Sequence, residues 1–148
     1  MKIAETFSVA APRDRVWEFI TSPDRVAPCL PGCEGVEDLG DGKYKATIKV
    51  QMGPIKTKFK VDVEEKEQRP PEFASYTTRG EEGGRASRVS AESTLELRAI
   101  DDNTTEVAYV SEVSIVGRLG KFGLGVMKKR AAVMGEEFAN AMRAEIEA

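Results

Sequence analysis

The 148-residue chain contains no histidine. Histidine is the commonest general base, proton shuttle and metal ligand. Its absence excludes His-containing triads and dyads, and with them most zinc and non-haem iron centres. Cysteine is scarce as well: Cys29 and Cys33 are the only two. Two thiols without histidine cannot complete an ordinary four-ligand zinc site within one chain, and their spacing is not that of a C-x-x-C redox pair. No apolar run is long enough to span a bilayer, and Met1-Lys2-Ile3-Ala4-Glu5 lacks the apolar core of a signal peptide. Basic residues number 22 and acidic residues 25, a net charge of -3, without the basic footprint of a general nucleic-acid binder. These deficits lead us to expect a cytoplasmic protein with reduced thiols, no metal, no intrinsic cofactor and no nucleic-acid partner.

What is present suits a single domain over residues 1–148. The apolar fraction of 41% and the charged fraction of 32% are those of a soluble globular chain, long enough to bury a core without disulfide or metal staples. Residues 2–10 alternate as a strand with Ile3, Phe7 and Val9 on one face. Pro12 suits a first helical position and Asp14 a first turn, and Val16, Trp17 and Ile20 make an apolar stripe. Ser22-Pro23 opens a second short helix. Pro28-Cys29-Leu30-Pro31-Gly32-Cys33 must leave helical geometry and form a rigid loop.

A series of strands is predicted next. Glu34 to Asp38 is short and ends at a Gly40-Asp41-Gly42 turn. Strands over 43–52 and 55–65 meet at Gly53-Pro54 in a tight hairpin. That turn sets Tyr44 opposite Val63, Ala46 opposite Val61, Ile48 opposite Phe59 and Met52 opposite Ile55. Lys43, Lys45, Lys49, Lys56, Lys58 and Lys60 fall on the other face, where Lys45–Asp62 and Lys43–Glu64 would compensate charge. A slip of one residue would bury the lysines, so the register is firm. Further strands run over 73–79, 86–99 and 105–116, with turns at Gly80 to Gly84 and Asp101-Asp102-Asn103. From about Leu119 the period becomes helical, with Leu124, Met127, Ala131, Met134, Phe138, Ala141 and Met142 at three- and four-residue steps. This order predicts an α+β fold: a curved antiparallel sheet of about seven strands wrapped around a long C-terminal helix, with two short helices after the first strand.

A long apolar helix over one concave sheet face often leaves a cavity. The residues predicted to line it are Leu30, Ile48, Val50, Met52, Phe59, Val61, Tyr76, Leu95, Tyr109 and Val113, facing Phe122, Val126, Met127 and Met134. Methionine adapts to irregular ligands, and Tyr76 and Tyr109 could orient one. For any one of these residues a filled core is the ordinary alternative. The Pro28-to-Glu34 loop reads as a stiff lip at the mouth or as a plain connection. Arg118, Lys121, Lys128, Lys129 and Arg130, mixed with Leu119, Phe122 and Leu124 after the glycines 117, 120, 123 and 125, could rest on an anionic membrane or partner. So could Lys49 and Lys58 of the hairpin. Snorkelling or solvated lysines are the alternative in both places. Glu5 shares a face with Phe7 and is expected to point inward.

Several stretches together resemble one known family. They are Ala11-Pro12 followed by Val16-Trp17, Val26-Ala27-Pro28-Cys29-Leu30-Pro31-Gly32-Cys33-Glu34, Met52-Gly53-Pro54-Ile55, and Val116-Gly117-Arg118-Leu119-Gly120 before a helix ending near Phe138. Over nearly its whole length the chain is similar to the G-subunit family of carbon monoxide dehydrogenase, within the START-like helix-grip superfamily of polyketide cyclases and lipid-transfer domains. The resemblance implies an accessory protein, not itself an enzyme, serving carbon monoxide dehydrogenase or a related molybdenum hydroxylase. It further implies a bound quinone or lipid and a peripheral place on the inner face of the cell membrane. Some members carry a C-terminal membrane anchor; this sequence runs only to Ala148, so reversible contact is expected. A cyclase or hydrolase acting on a hydrophobic substrate is the competing expectation, with Glu5, Tyr76 and Tyr109 as its candidate groups, and a packed partner-binding domain is the third.

Overall fold

In the computed structural model, which describes residues 1–147 apart from the side chains of Met52, Arg85, Phe122 and Leu124, the chain begins with β1 (Lys2–Val9), α1 (Arg13–Ile20), α2 (Pro23–Val26) and a 3-10 turn (Ala27–Cys29). Six strands follow: β2 (Cys33–Gly40), β3 (Lys43–Met52), β4 (Ile55–Arg69), β5 (Phe73–Glu82), β6 (Ser87–Asp101) and β7 (Thr104–Gly117). A short 3-10 segment (Gly83–Arg85) separates β5 from β6, and another (Arg118–Phe122) leads into α3 (Leu124–Ile146). All seven strands form one antiparallel sheet in the order β1-β7-β6-β5-β4-β3-β2. The fold is therefore the curved sheet and long C-terminal helix expected from the sequence.

The β3–β4 hairpin has the predicted register: Tyr44 pairs with Val63, Ala46 with Val61, Ile48 with Phe59 and Met52 with Ile55. Its lysines are all exposed. Alternation with period two, pinned by the Gly53-Pro54 turn, leaves no other pairing that keeps them in water.

Several boundaries differ from expectation: β4 runs on to Arg69 rather than ending at 65, Pro28 and Cys29 lie in a 3-10 turn, and three further differences have a local reason. Gly80 to Glu82 continue β5 rather than turning. Gly80 is pressed between β4 and β6, where an added Cβ would meet Val61 Cγ1 at 2.5 Å, so this glycine marks crowding and not a bend. The C-terminal helix starts at Leu124 rather than near Leu119, because Gly117 and Gly123 take left-handed φ values of 97° and 85° and confine residues 118–122 to a 3-10 segment. Pro12 precedes α1 in extended geometry rather than occupying its first turn.

Two apolar clusters hold the fold. One joins Val9, Ala11, Val16, Phe19, Cys29, Leu95, Leu97 and Val107 to Met142 and Ile146 of α3. The other joins Phe59, Val61 and Leu119 to Met127 at the start of α3, with Ala46, Ile48, Val50, Val89 and Ile115 packed around it. Full burial of one such side chain contributes about 1.5–3 kcal/mol. The helix is thus fastened to the sheet near both its ends, and its middle turns span the interval between the clusters.

Candidate functional site beneath the long helix

In that interval the inner face of the sheet turns polar. Ser111 of β7 pairs with Ser93 of β6, Ser93 with Tyr76 of β5, and Tyr76 with Glu65 of β4. Residues in register across adjacent strands share a face, so these four make one row across the sheet. The Ser93 and Ser111 hydroxyls are 2.9 Å apart, and Ser111 is only 1% exposed. They satisfy each other, as buried hydroxyls must.

The row ends in a group of ionisable side chains. Burial pushes the Tyr76 phenol up to about 12, reinforced by the charges of Glu65 and Tyr44 and partly offset by a hydrogen bond with Gln68. Burial also raises the Glu65 carboxyl. Tyr44 is raised by burial first, then by Glu65 and Asp38. A β-bulge between Glu65 and Glu67 inserts an extra residue, which lets Glu65 and Gln68 both turn inward although three positions apart. One row nearer the first cluster, Glu5 pairs with Tyr109. Its side chain lies under α3, where a Cβ on Gly135 would come within 3.6 Å of Glu5 Cγ. A strip of hydroxyls, amide and carboxyl flanked by apolar clusters can hold an amphiphile: its apolar body packs on the clusters while its oxygens meet the strip.

The residues predicted to line the cavity divide around this strip. Phe59, Val61 and Met127 are buried in the second cluster, with Ile48 and Val50 against them. Leu95 is buried in the first, with Tyr109 packed on it. Tyr76, Val113, Met134 and Leu30 are half-buried. Met52 and Phe122 lie outside the described side chains. Val126 is a correction: it is 46% exposed, because adjacent Met127 takes the inward position and one helical residue turns about 100°. Sequence reasoning missed Glu65, Tyr44, Gln68, Ser93 and Ser111.

The basic surface is also rearranged. Arg118, expected to face a membrane or partner, turns its guanidinium to Glu82, with Nε donating to Oε1 at 2.7 Å. Glu82 is 2% exposed. Beside it the Leu119 N–H donates to Ser87 Oγ at 3.1 Å, and Leu119 is a core residue rather than a membrane-facing one. Lys121, Lys128 and Lys129 are exposed, whereas Arg130 is half-buried.

On the outer face Glu34 bridges both hairpin lysines, Lys58 at 3.2 Å and Lys49 at 3.9 Å. Lys45 stands opposite Asp62 as expected, while Glu64 bridges Lys66 at 3.3 Å rather than Lys43. An open groove of about 1680 Å³ runs over this face, lined by Lys45, Lys60, Asp62, Arg79, Glu81 and Arg88 among others. Its mixed charge favours neither sign of partner.

Both cysteines are free thiols, and burial raises that of Cys29, with the charge of Glu145 adding to it. Among the described residues no three acidic or thiol groups gather to hold a metal ion. No helix of the described residues is long and apolar enough to cross a membrane.

A seven-stranded sheet gripping one long helix over a part-polar inner face defines a START-like helix-grip protein. The family described as the G subunit of carbon monoxide dehydrogenase (CoxG) matches residues 6–147, and the chain belongs to that family. No curated protein matches it. Among solved structures, a conserved protein from Geobacillus kaustophilus superposes with a TM-score of 0.92 at 23% identity, covering 99% of this chain and 95% of that one. A START superfamily protein from Mycobacterium smegmatis gives 0.80 at 12%, covering 99% and 97%. The Zhui aromatase/cyclase from Streptomyces sp. R1128 gives 0.66 at 19%, covering 99% and 93%. At these identities the similarity is one of fold.

Proposed function

We propose that the chain is a non-catalytic carrier and adaptor. It binds an apolar small molecule, a quinone or lipid, between the sheet and α3. In doing so it assists the membrane recruitment or electron transfer of a carbon monoxide dehydrogenase or related molybdenum hydroxylase. The observation that carries the ligand-binding reading is the polar row of Ser111, Ser93, Tyr76 and Glu65 between two apolar clusters. A core that needed only packing has no use for such a row; under an apolar ligand with a few oxygens it becomes a complement. The partner enzyme is supported by the family alone. The protein works at the inner face of the cell membrane without spanning it, through exposed Lys121, Lys128 and Lys129. It carries no cofactor of its own beyond the quinone it transports.

The test is organic extraction of protein purified from a quinone-producing host, with mass spectrometry of the extract. An isoprenoid quinone or lipid near one per chain is expected. An empty extract from folded protein would remove the ligand from the account.

A second reading, a cyclase- or hydrolase-type enzyme acting in the same place, is favoured by the ionisable group of Glu65, Tyr76 and Tyr44 and by fold similarity to an aromatase/cyclase. It requires one of these groups to exchange a proton with a substrate near neutral pH. Tyr76, pushed up to about 12, is a donor of hydrogen bonds there and not a base, which favours the carrier.

A further inference from the structure

Arg130 stands three residues after buried Met127 and four before half-buried Met134. Its Nε is shut off from solvent and has no hydrogen-bond partner. Among the described residues no carboxylate bridges its guanidinium, in contrast to Arg118 with Glu82. A guanidinium nitrogen has only a proton to offer, so this one lacks an acceptor at a place where water does not reach it.

Helix geometry places Arg130 relative to the sheet. Gly135 of α3 lies against Glu5 of β1. Five residues earlier, Arg130 is turned about 140° around the axis from Gly135 and set back about 7.5 Å along it. The turn puts Arg130 on the flank of α3 away from Glu5 and β1. The setback runs toward Met127 and the second apolar cluster. A two-residue step along a strand covers about 6.8 Å. Taken in that direction from the row of Glu5 and Tyr109, it reaches the row of Ser111, Ser93, Tyr76 and Glu65. Arg130 thus lies between Met127, in the second cluster, and Gly135, against Glu5, on the stretch of α3 that spans the interval holding the polar row.

We propose that Arg130 Nε–H donates to an oxygen acceptor on the head of the bound ligand, so that the protein selects apolar molecules bearing a carbonyl or carboxylate oxygen over plain hydrocarbons. This rests on the carrier reading of the same site.

The test compares wild type with Arg130→Met, Arg130→Lys and Glu136→Gln, an exposed control on the same helix. The probes are diphenylhexatriene, which has no oxygen, and two competitors that displace it: a decyl quinone with neutral carbonyls, and palmitate with a carboxylate. Arg130→Met should weaken the quinone, the palmitate or both by about tenfold, the effect of one lost charge-assisted hydrogen bond. Diphenylhexatriene should be unchanged. The competitor that loses more identifies the acceptor as carbonyl or carboxylate. Glu136→Gln should change nothing. Should Arg130→Met fail to fold, Arg130→Lys keeps the charge but moves the donor, and the same selective loss is expected. Equal losses for all probes, or none, would overturn the inference while leaving the carrier standing. A wild type that binds none of the three would overturn both.

Discussion

Glu65 of β4 and Tyr76 of β5 stand directly opposite each other on the inner face of the sheet, each raised by burial and with the carboxylate charge further raising the phenol. The folded chain therefore holds the Glu65 proton more tightly than the unfolded chain does. Between the two pKa values the native state binds more protons, so this group's share of stability is complete below the ordinary value of 4.5 and is lost as pH rises through the folded value. Glu65→Gln should remove that decline and flatten the stability curve above about pH 4.5. It should also lower the Tyr76 pKa from about 12. Urea midpoints against pH, and NMR titration of the labelled phenols, check the two effects. A Tyr76 titration that does not move would show that the pair is not coupled.

Ser93 and Ser111 make a mutual hydrogen bond under the helix. Ser93→Ala alone leaves the Ser111 hydroxyl, 1% exposed, without its partner and should cost about 1–3 kcal/mol. The double change to Ala should cost less than the sum of the single changes, because no orphan remains. Denaturant unfolding of the four proteins in the cycle measures this directly.

Arg118→Ala strands the Glu82 carboxylate in the core. Arg118 is itself about half exposed, but without it the buried Glu82 carboxylate keeps no partner, and a loss of about 1–3 kcal/mol is expected. Glu82→Gln combined with Arg118→Ala should recover much of that loss, since no buried charge is left. If the single Arg118→Ala change is silent in thermal melts, the pair does not fasten the start of α3 to the sheet.

Two methionines of α3 should behave oppositely. Met142 is 0% exposed in the first apolar cluster, and Met142→Ala should cost about 2–5 kcal/mol in stability with little effect on ligand affinity. Met134 is half-buried on the middle turns of α3, outside both clusters. Met134→Ala should leave stability within about 1.5 kcal/mol and weaken binding of an apolar probe. Paired melting and probe-titration curves would separate packed core from ligand space.

The hairpin was legible because a two-residue period and a tight Gly-Pro turn admit one register that keeps six lysines in water. The polar row was not legible as a site. Ser93 and Ser111 read as surface positions until β6 and β7 are set in register, and long-range pairing is not a local signal. Glu65 carried a usable hint: Val61, Val63 and Glu65 alternate on one face, and following that parity two more residues turns a carboxyl inward. Gln68 could not be placed so, since the bulge after Glu65 breaks the parity. Arg130 had a similar hint in its spacing from Met127 and Met134, but its charge suggested the surface. Val126 and Gly80 misled in opposite ways. An apolar residue beside the true inward position looked like lining, and a glycine needed for close packing looked like a turn.

The most direct test of a ligand held between sheet and helix is NMR of the chain labelled at its methionine methyls, titrated with a decyl quinone. The account predicts saturable shifts at Met134 and Met127, while Met142, sealed in the first cluster, stays in place. Unchanged methyl signals at saturating quinone, or shifts equal at all three, would contradict it.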